Sequence, residues 1–370
     1  TAALGHPERR WPSLHVAGTN GKGSVTAMCE TALRAAGLRT GWYTSPHLAR
    51  LEERFRIDGR DVASSDMQRT LDDIFAVIDR QLATGGLEAM PTFFEVTTAL
   101  AFELFARARV DIGVIEVGLG GRFDATNVLQ PTVCAVTSIQ FDHERHLGST
   151  LEAIAAEKAG IAKPGVALVV GPVDAGPAHV IAESARAAGA VLHDTRRETR
   201  WSMTMDHGHA VLDLDTPMRT YRDVRLALAG AHQAGNAVVA VRALEQLSEA
   251  GLPGIDADAI TAGLRSAAWP ARLEWLRAPG QPAILLDAAH NPAGAAALGA
   301  YLATLGAPVT LVVSVMQDKD VPALLAPLLP HAARVVATQA DTPRALGADA
   351  LAAVIRGQAL AGTDVQVCAH

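Results

Sequence analysis

The segment HVAGTNGKGS, residues 15–24, sets a run of glycines ahead of a helix-forming stretch, with Lys22 and Ser24 close to the helix start. That combination suits a polyphosphate. Glycine lets backbone N–H groups converge on phosphate oxygens, and the helix N-terminus adds partial positive charge. Lys22 can neutralise the β and γ charge, and Ser24 offers a hydroxyl to magnesium. The spacing departs from the common G-x-x-x-x-G-K-[ST] pattern, because its first glycine falls on Val16 and Gly23 follows the lysine. A glycine-rich turn that only packs a helix on a strand is the structural alternative. A second cluster, EVGLGGRFDATN at 116–127, supplies Gly118 and Gly120, but the last glycine of a dinucleotide fingerprint falls on Phe123. A dinucleotide-dependent oxidoreductase is therefore a weak reading.

Glu116 lies near the end of one Val/Ile-rich run, and Asp142 and His143 follow the next. Ligands of open α/β sheets gather at such strand ends, so Glu116, His143 and the phosphate loop are expected to converge. A magnesium ion there needs few protein ligands, because it prefers oxygen and keeps waters and substrate phosphates. A helix-capping or ion-pairing carboxylate is the alternative for Glu116. His143-Glu144-Arg145-His146 is one residue short of H-E-x-x-H, which argues against zinc. Lys158, beside Glu157 and near Glu152, reads from its own residues as a solvated helical lysine. Further on, AILLDAAHNPAG puts Asp287 at a strand end and His290 in the turn before Pro292. A helix N-terminus disfavours imidazolium, so His290 is expected to be neutral, facing a ligand or serving only as part of a cap.

The elements that must hold these residues alternate. Strands are expected at 14–18, 39–44, 111–117, 132–139, 166–171, 283–288, 309–315 and 333–338. Helices are expected near 22–37, 65–83, 92–109, 150–163, 175–188, 231–250, 256–267 and 293–305. This is the pattern of an α/β protein, a P-loop-containing, mostly parallel sheet domain followed by a smaller α/β C-terminal domain. Asp58-Gly59 in FRIDGRDV signals a tight hairpin, and 199–229 a small antiparallel patch. Trp269-Pro270 breaks helical continuity, which divides the chain into 1–268 and 269–370.

Composition narrows the classes. The chain has 370 residues, 49% of them hydrophobic, and a net charge of −7, which gives no basic excess for nucleic acid or an anionic membrane. The uncharged stretch 288–317 is interrupted by Gly, Pro, His and Asn and reads as buried helix plus strand. Cys29, Cys134 and Cys368 make neither a disulfide framework nor a zinc site, which fits a reducing cytoplasm. The start has no signal-peptide core and no initiator Met, so the chain reads as trimmed.

In order along the chain, HVAGTNGKGS, YTSPHL with ERFRIDG, TFFEVTTALAF, IEVGLGGRFDATN, DHERHLGST, EKAGIAKPG, HQAGNA, WPARLE and LDAAHNP resemble the folylpolyglutamate synthase/dihydrofolate synthase family of the Mur-type ATP-dependent amide ligases. The resemblance implies an enzyme using ATP and Mg²⁺ to join L-glutamate to dihydropteroate or to folate through an acyl phosphate. By that likeness, Asn20, Gly21, Lys22, Gly23 and Ser24 hold the ATP phosphates, and Asn236, Arg272 and Asp287 are further nucleotide contacts. Ser45, Glu116 and His143 are the magnesium ligands, directly or through water. Lys158 matches a carbamylated lysine and His290 a site histidine, which with Lys22 make the catalytic set. Thr92, Phe93, Phe94, Glu95, Phe123, Asp124 and Ala125 correspond to the pteroate pocket. Closure of two domains about a hinge at 269–272, a monomeric state, and no nucleic-acid or membrane partner complete the expectation. A cell-wall Mur ligase is the nearer rival and a P-loop ATPase without ligase activity the further one. No Asn is followed by Lys, so the guanine-reading N-K-x-D pattern is absent. The family's further Ser-containing strand near the end is not found in ALAGTDVQVCAH.

Overall fold

A strand covered on both faces has no polar side to display, and the central runs of this chain show none. Eight runs form one sheet: Ser13–Ala17 (β1), Thr40–Tyr43 (β2), Phe55–Ile57 (β3), Arg60–Asp61 (β4), Ile112–Glu116 (β5), Val133–Val136 (β6), Ala167–Val170 (β7) and Val191–Asp194 (β8). In the computed structural model, which describes residues 1–368, their order is β4-β3-β2-β5-β1-β6-β7-β8. The strands from β2 through β8 in that order pair in parallel, while β3 and β4 add an antiparallel edge. Every residue of β1, β2, β5 and β6 is buried. The β3–β4 turn is Asp58-Gly59 with φ of 49° and 72°, as a primed turn requires.

Helices Lys22–Ala35 (α1), Ser64–Ala83 (α2), Phe93–Ala108 (α3), Glu144–Leu147 (α4), Leu151–Ala159 (α5) and Ala175–Ala188 (α6) fill the crossovers. Starts are set locally: Thr92 and Glu95 form a capping box on α3, and Thr150 Oγ1 accepts from Ala153 N on α5. Trp11, Tyr43, Ile74, Leu100, Phe102 and Phe105 make one core, and Val136, Ile154, Leu168 and Ile181 another. Burying each such side chain contributes about 2 kcal/mol. The short helix Thr195–Glu198 (α7) leads into Arg200–Asp206 (β9), His209–Asp215 (β10) and Thr220–Ala229 (β11), a three-stranded sheet in the order β11-β10-β9. Gln233–Glu249 (α8) and Ala257–Ser266 (α9) follow, both packed on α1.

The chain divides into two compact units. The first holds Thr1–Thr204, Val211–Ala227 and Gln233–Trp269; the second holds Pro270–His370 with Met205–Ala210 and Leu228–His232. Those last two pieces come from a region that the sequence reading places before residue 268. The second unit contains Glu274–Leu276 (β12) antiparallel to Ile284–Leu286 (β13), and a parallel sheet of Val309–Val313 (β14), Ala332–Thr338 (β15) and Asp364–Cys368 (β16). Pro292–Ala303 (α10), Val321–Leu325 (α11) and Ala348–Gln358 (α12) pack with it around Leu325, Val335, Leu351 and Ile355. β16 is a strand in the closing segment that the sequence reading does not list, and it contains no Ser. Its positions are mostly exposed, so it lacks the apolar run that marks a strand in sequence. Among the described residues, no helix is long and apolar enough to cross a membrane.

Candidate active site

The strand order places β1 between β5 and β6, so three successive strand ends carry the phosphate loop, Glu116 and the segment leading to His143. The phosphate loop is held by the turn after β6. Thr19 N donates to Ser138 O at 2.8 Å, Asn20 N to Ser138 Oγ at 3.0 Å, and Thr137 Oγ1 to Asn20 O at 2.6 Å. Gly18, at φ 145°, lies so close to this turn that a Cβ would stand 1.9 Å from Thr137 Oγ1. Gly21 starts α1 at φ 87°, and a Cβ there would meet Asn236 Oδ1 at 2.2 Å. The structure thus brings Asn20, Gly21, Lys22, Gly23, Ser24 and Asn236 together. Thr137 and Ser138 escaped the sequence reading because their partner is more than a hundred residues away.

Two ammonium groups meet on one carbonyl. Lys22 Nζ donates to Gly18 O at 3.0 Å and Thr19 O at 3.1 Å, and Lys158 Nζ donates to Gly18 O at 3.0 Å. Lys158 is only 4% exposed, so the expectation of a solvated lysine is wrong. Burial, then the charge of Lys22, lowers its pKa to about 7, with Asp142 and Asp124 pulling the other way. A helix of small residues conceals this, since α5 has no clear apolar stripe to show which side is covered.

Glu116 is buried at the end of β5, and Ser45 N approaches its Oε2 at 3.5 Å. His143 starts α4 at φ 52°, with Nε2 3.7 Å from Asp142 Oδ2. Among the described residues no group of three His, Cys, Asp or Glu could hold a metal by itself. A buried carboxylate beside a serine and a phosphate loop nevertheless fits magnesium, which takes oxygen donors and completes its shell from phosphates and water.

A cavity of about 630 Å³ opens beside Glu116 in sequence, lined by Gly118–Gly121 and Phe123–Ala125 together with Ser45, Pro46, Arg54, Thr92, Phe94, Glu95, His146, Leu147 and Glu157. Six of the seven expected pocket residues line it; Phe93 does not, and its ring lies 5.4 Å from the Arg54 guanidinium. Thr92 and Glu95 are engaged with each other: Thr92 N and Oγ1 both donate to Glu95 Oε2, and these bonds hold the Glu95 carboxyl below the usual range. Phe123 is 82% exposed under the Arg122 guanidinium. Arg54 also lines the cavity, and nothing in ERFRIDG marks it for that use. It is 7% exposed, donates through Nε to His47 Nδ1 at 2.9 Å, and makes no ion pair among the described residues. A buried cation without a carboxylate is costly unless an anion joins it. His146 also lines the cavity, a use that zinc spacing could not reveal.

In the second unit, Asp287 follows β13 and accepts from Leu273 N at 3.0 Å and Ala289 N at 2.9 Å. Ala271 and Leu273 take positive φ on either side of Arg272, whose guanidinium donates to Ala271 O. His290 Nδ1 donates to Ala288 O at 2.9 Å. Asn291 caps α10 and Pro292 opens it.

A phosphate loop on a buried parallel sheet, followed by a smaller α/β unit, is the arrangement of an ATP-dependent acid–amino-acid ligase. Residues 64–244 match the Mur ligase middle domain, and residues 271–370 the Mur ligase, glutamate ligase domain. The chain is 41% identical over 369 residues to the dihydrofolate synthase/folylpolyglutamate synthase of Mycobacterium tuberculosis, covering 94% of this chain and 74% of that protein. It matches the structure of Mycobacterium tuberculosis folylpolyglutamate synthase complexed with ADP at a TM-score of 0.90 and 38% identity, over 100% of this chain and 82% of that one. Against E. coli FolC in complex with DHPP and ADP the TM-score is 0.84 at 31% identity, over 99% and 87% of the two chains. The chain belongs to the dihydrofolate synthase/folylpolyglutamate synthase family, and it is an ATP-dependent ligase.

Proposed function

We propose that this chain joins the amine of L-glutamate to the carboxylate of dihydropteroate, of a folate, or of both. The observation that carries the reading is the shared origin of two sites. The Lys22 loop leaves the end of β1, and the cavity wall at Gly118–Ala125 leaves the end of neighbouring β5, with Glu116 at its root.

A carboxylate does not condense with an amine in water, because hydroxide leaves poorly. In the proposed reaction an acceptor carboxylate oxygen attacks the γ-phosphorus in line. The O–P bond forms, the bond to the bridging oxygen breaks, and ADP leaves. The glutamate amine then attacks the acyl carbon, phosphate departs with the C–O electron pair, and the amine gives up a proton. Lys22 lies on the phosphate loop to offset charge on the transferring group, and the remaining loop N–H groups orient it. Magnesium, held by Glu116 with Ser45 and His143 directly or through water, would neutralise further phosphate charge. Arg54 supplies the buried cation that an acceptor carboxylate needs, and Phe94 and Phe123 offer aromatic surface to its ring system. Lys158, with a pKa of about 7, has the neutral amine that carbamylation by CO₂ requires. Asn236, Arg272 and Asp287 are proposed as nucleotide contacts, and His290 as a catalytic-site histidine.

A monomer acting in the cytoplasm on small molecules, without nucleic acid or membrane, completes the proposal; the net charge of −7 supports the absence of a polyanionic partner, and the small cysteine content a reducing compartment. The test is incubation with Mg-ATP, labelled glutamate and, separately, dihydropteroate, tetrahydrofolate or a muramoyl precursor. Product mass should rise by one glutamyl residue on a pterin acceptor. Ligation to the muramoyl precursor alone, or ADP release with no product, would overturn the assignment.

A further inference from the structure

An imidazole sits where an apolar side chain would be expected. His15 is in the middle of β1, wholly buried, with Cys134 and Ile115 as its neighbours across the sheet. Its Nε2 is 2.8 Å from Thr126 Oγ1, and its Nδ1 is buried without a hydrogen-bond partner. Thr126 Oγ1 in turn donates to Asp124 Oδ1, which also accepts from Thr126 N at 3.0 Å. Asp124 Oδ2 accepts from Leu119 N at 2.8 Å.

The proton positions follow from this chain. A carboxylate only accepts, so the single hydroxyl proton of Thr126 goes to Asp124, and Thr126 must accept from His15 Nε2–H. Burial pushes the His15 pKa down to about 3, so the ring stays neutral and remains a one-proton donor. A carboxylate has about four lone-pair sites, and three are taken here by Thr126 Oγ1, Thr126 N and Leu119 N. The fourth belongs to Oδ2, on a residue that lines the cavity.

We propose that His15 and Thr126 are positioning residues for the acceptor: together they orient the Asp124 carboxylate, and through it the Gly118–Gly121 wall, so that one remaining lone pair meets an N–H of the acceptor's ring system. This rests on the reading of the cavity as the pteroate or folate site. It ties the strand that carries the phosphate loop to the wall that carries the acceptor, while neither His15 nor Thr126 lines the cavity.

The experiment pairs variants that remove the relay with variants that keep it. Thr126→Val removes the hydroxyl and Thr126→Ser keeps it; His15→Leu removes the Nε2–H donor and His15→Gln places an amide N–H near the same position. Dihydropteroate binding by calorimetry and steady-state KM for dihydropteroate and ATP are measured on each folded variant. Thr126→Val, which removes the hydrogen bond to the Asp124 carboxylate, should weaken dihydropteroate about tenfold, and His15→Leu, which removes the neutral hydrogen bond behind it, about fivefold, with ATP KM and kcat within about twofold. Thr126→Ser and His15→Gln should return to within about twofold of the wild type. In an Asp124→Asn background, Thr126→Val should add less than about twofold, because the relay then has no carboxylate to orient. An unchanged dihydropteroate affinity in Thr126→Val, equal losses for ATP and dihydropteroate, or an undiminished effect in the Asp124→Asn background would overturn the proposal. If Thr126→Val does not fold, the His15 pair decides by the same criteria. A wild type that binds dihydropteroate but ligates nothing would refute the ligase reading alone, and the calorimetric comparison still judges the relay.

Discussion

Lys158→Met should make the protein more stable. The lysine is 4% exposed, its ammonium donates to Gly18 O, and its pKa falls from an ordinary 10.5 to about 7 because of burial and the charge of Lys22. A fall of that size corresponds to about 5 kcal/mol favouring the unfolded chain at pH 7 and below. The sign follows from proton uptake: between about pH 7 and 10.5 the unfolded chain holds a proton that the folded chain lacks, so the penalty fades as pH rises through that window. Methionine keeps most of the volume without the charge. Setting the lost hydrogen bond and imperfect packing against the relieved penalty leaves a net gain of about 2 kcal/mol at pH 7. Urea denaturation of nucleotide-free wild type and Lys158→Met, in CO₂-free buffer at pH 7.0 and about pH 9.5, would show it. The variant should lead by about 2 kcal/mol at neutral pH and lose all of that lead by about pH 9.5, where the penalty has fallen by about 3 kcal/mol, while ligase activity is lost. A variant less stable than the wild type at pH 7, or a difference that ignores pH, would refute the electrostatic reasoning.

Three other expectations are more direct. Lys22→Ala should lower turnover about a hundredfold or more, read as ADP release with acceptor and glutamate present; near-normal turnover would remove Lys22 from the mechanism. Gly21→Ala forces a side chain into φ 87° and against Asn236 Oδ1, so ADP binding measured by calorimetry should weaken at least about tenfold, and unchanged binding would mean the loop tolerates the shift. His15 has a pKa of about 3 against an ordinary 6.5, so stability is lost as pH falls below 6.5, by about 2 kcal/mol at pH 5. His15→Gln should flatten that part of the pH dependence, and an identical acid profile for wild type and variant would contradict it.

What the sequence reveals is mostly what local physics decides. Gly18, Gly21 and Lys22 announce a phosphate loop because only glycine tolerates such close approach, and Asp58-Gly59 announces a hairpin because it accepts positive φ. Asp287 and His290 stand at the strand end and helix start that Pro292 implies. Long-range pairing stays hidden. Lys158 looks solvated beside Glu157, and only the fold turns it toward Gly18 O, 140 residues away. Thr137 and Ser138 are ordinary strand-end residues until the β1 and β6 turns are side by side. Arg54 carries no local sign that its carboxylate partner is missing. β12 is three residues long and β16 is largely exposed, so neither shows a periodic apolar signal.

The central claim is that the acceptor carboxylate is activated by direct phosphorylation. It is tested most directly by supplying dihydropteroate with ¹⁸O in its carboxylate, together with Mg-ATP and glutamate, and analysing the released phosphate by mass. One ¹⁸O should appear in phosphate for each amide formed, because the attacking oxygen leaves with phosphorus. Amide formation with unlabelled phosphate would contradict the acyl-phosphate route, however well the chain matches its relatives.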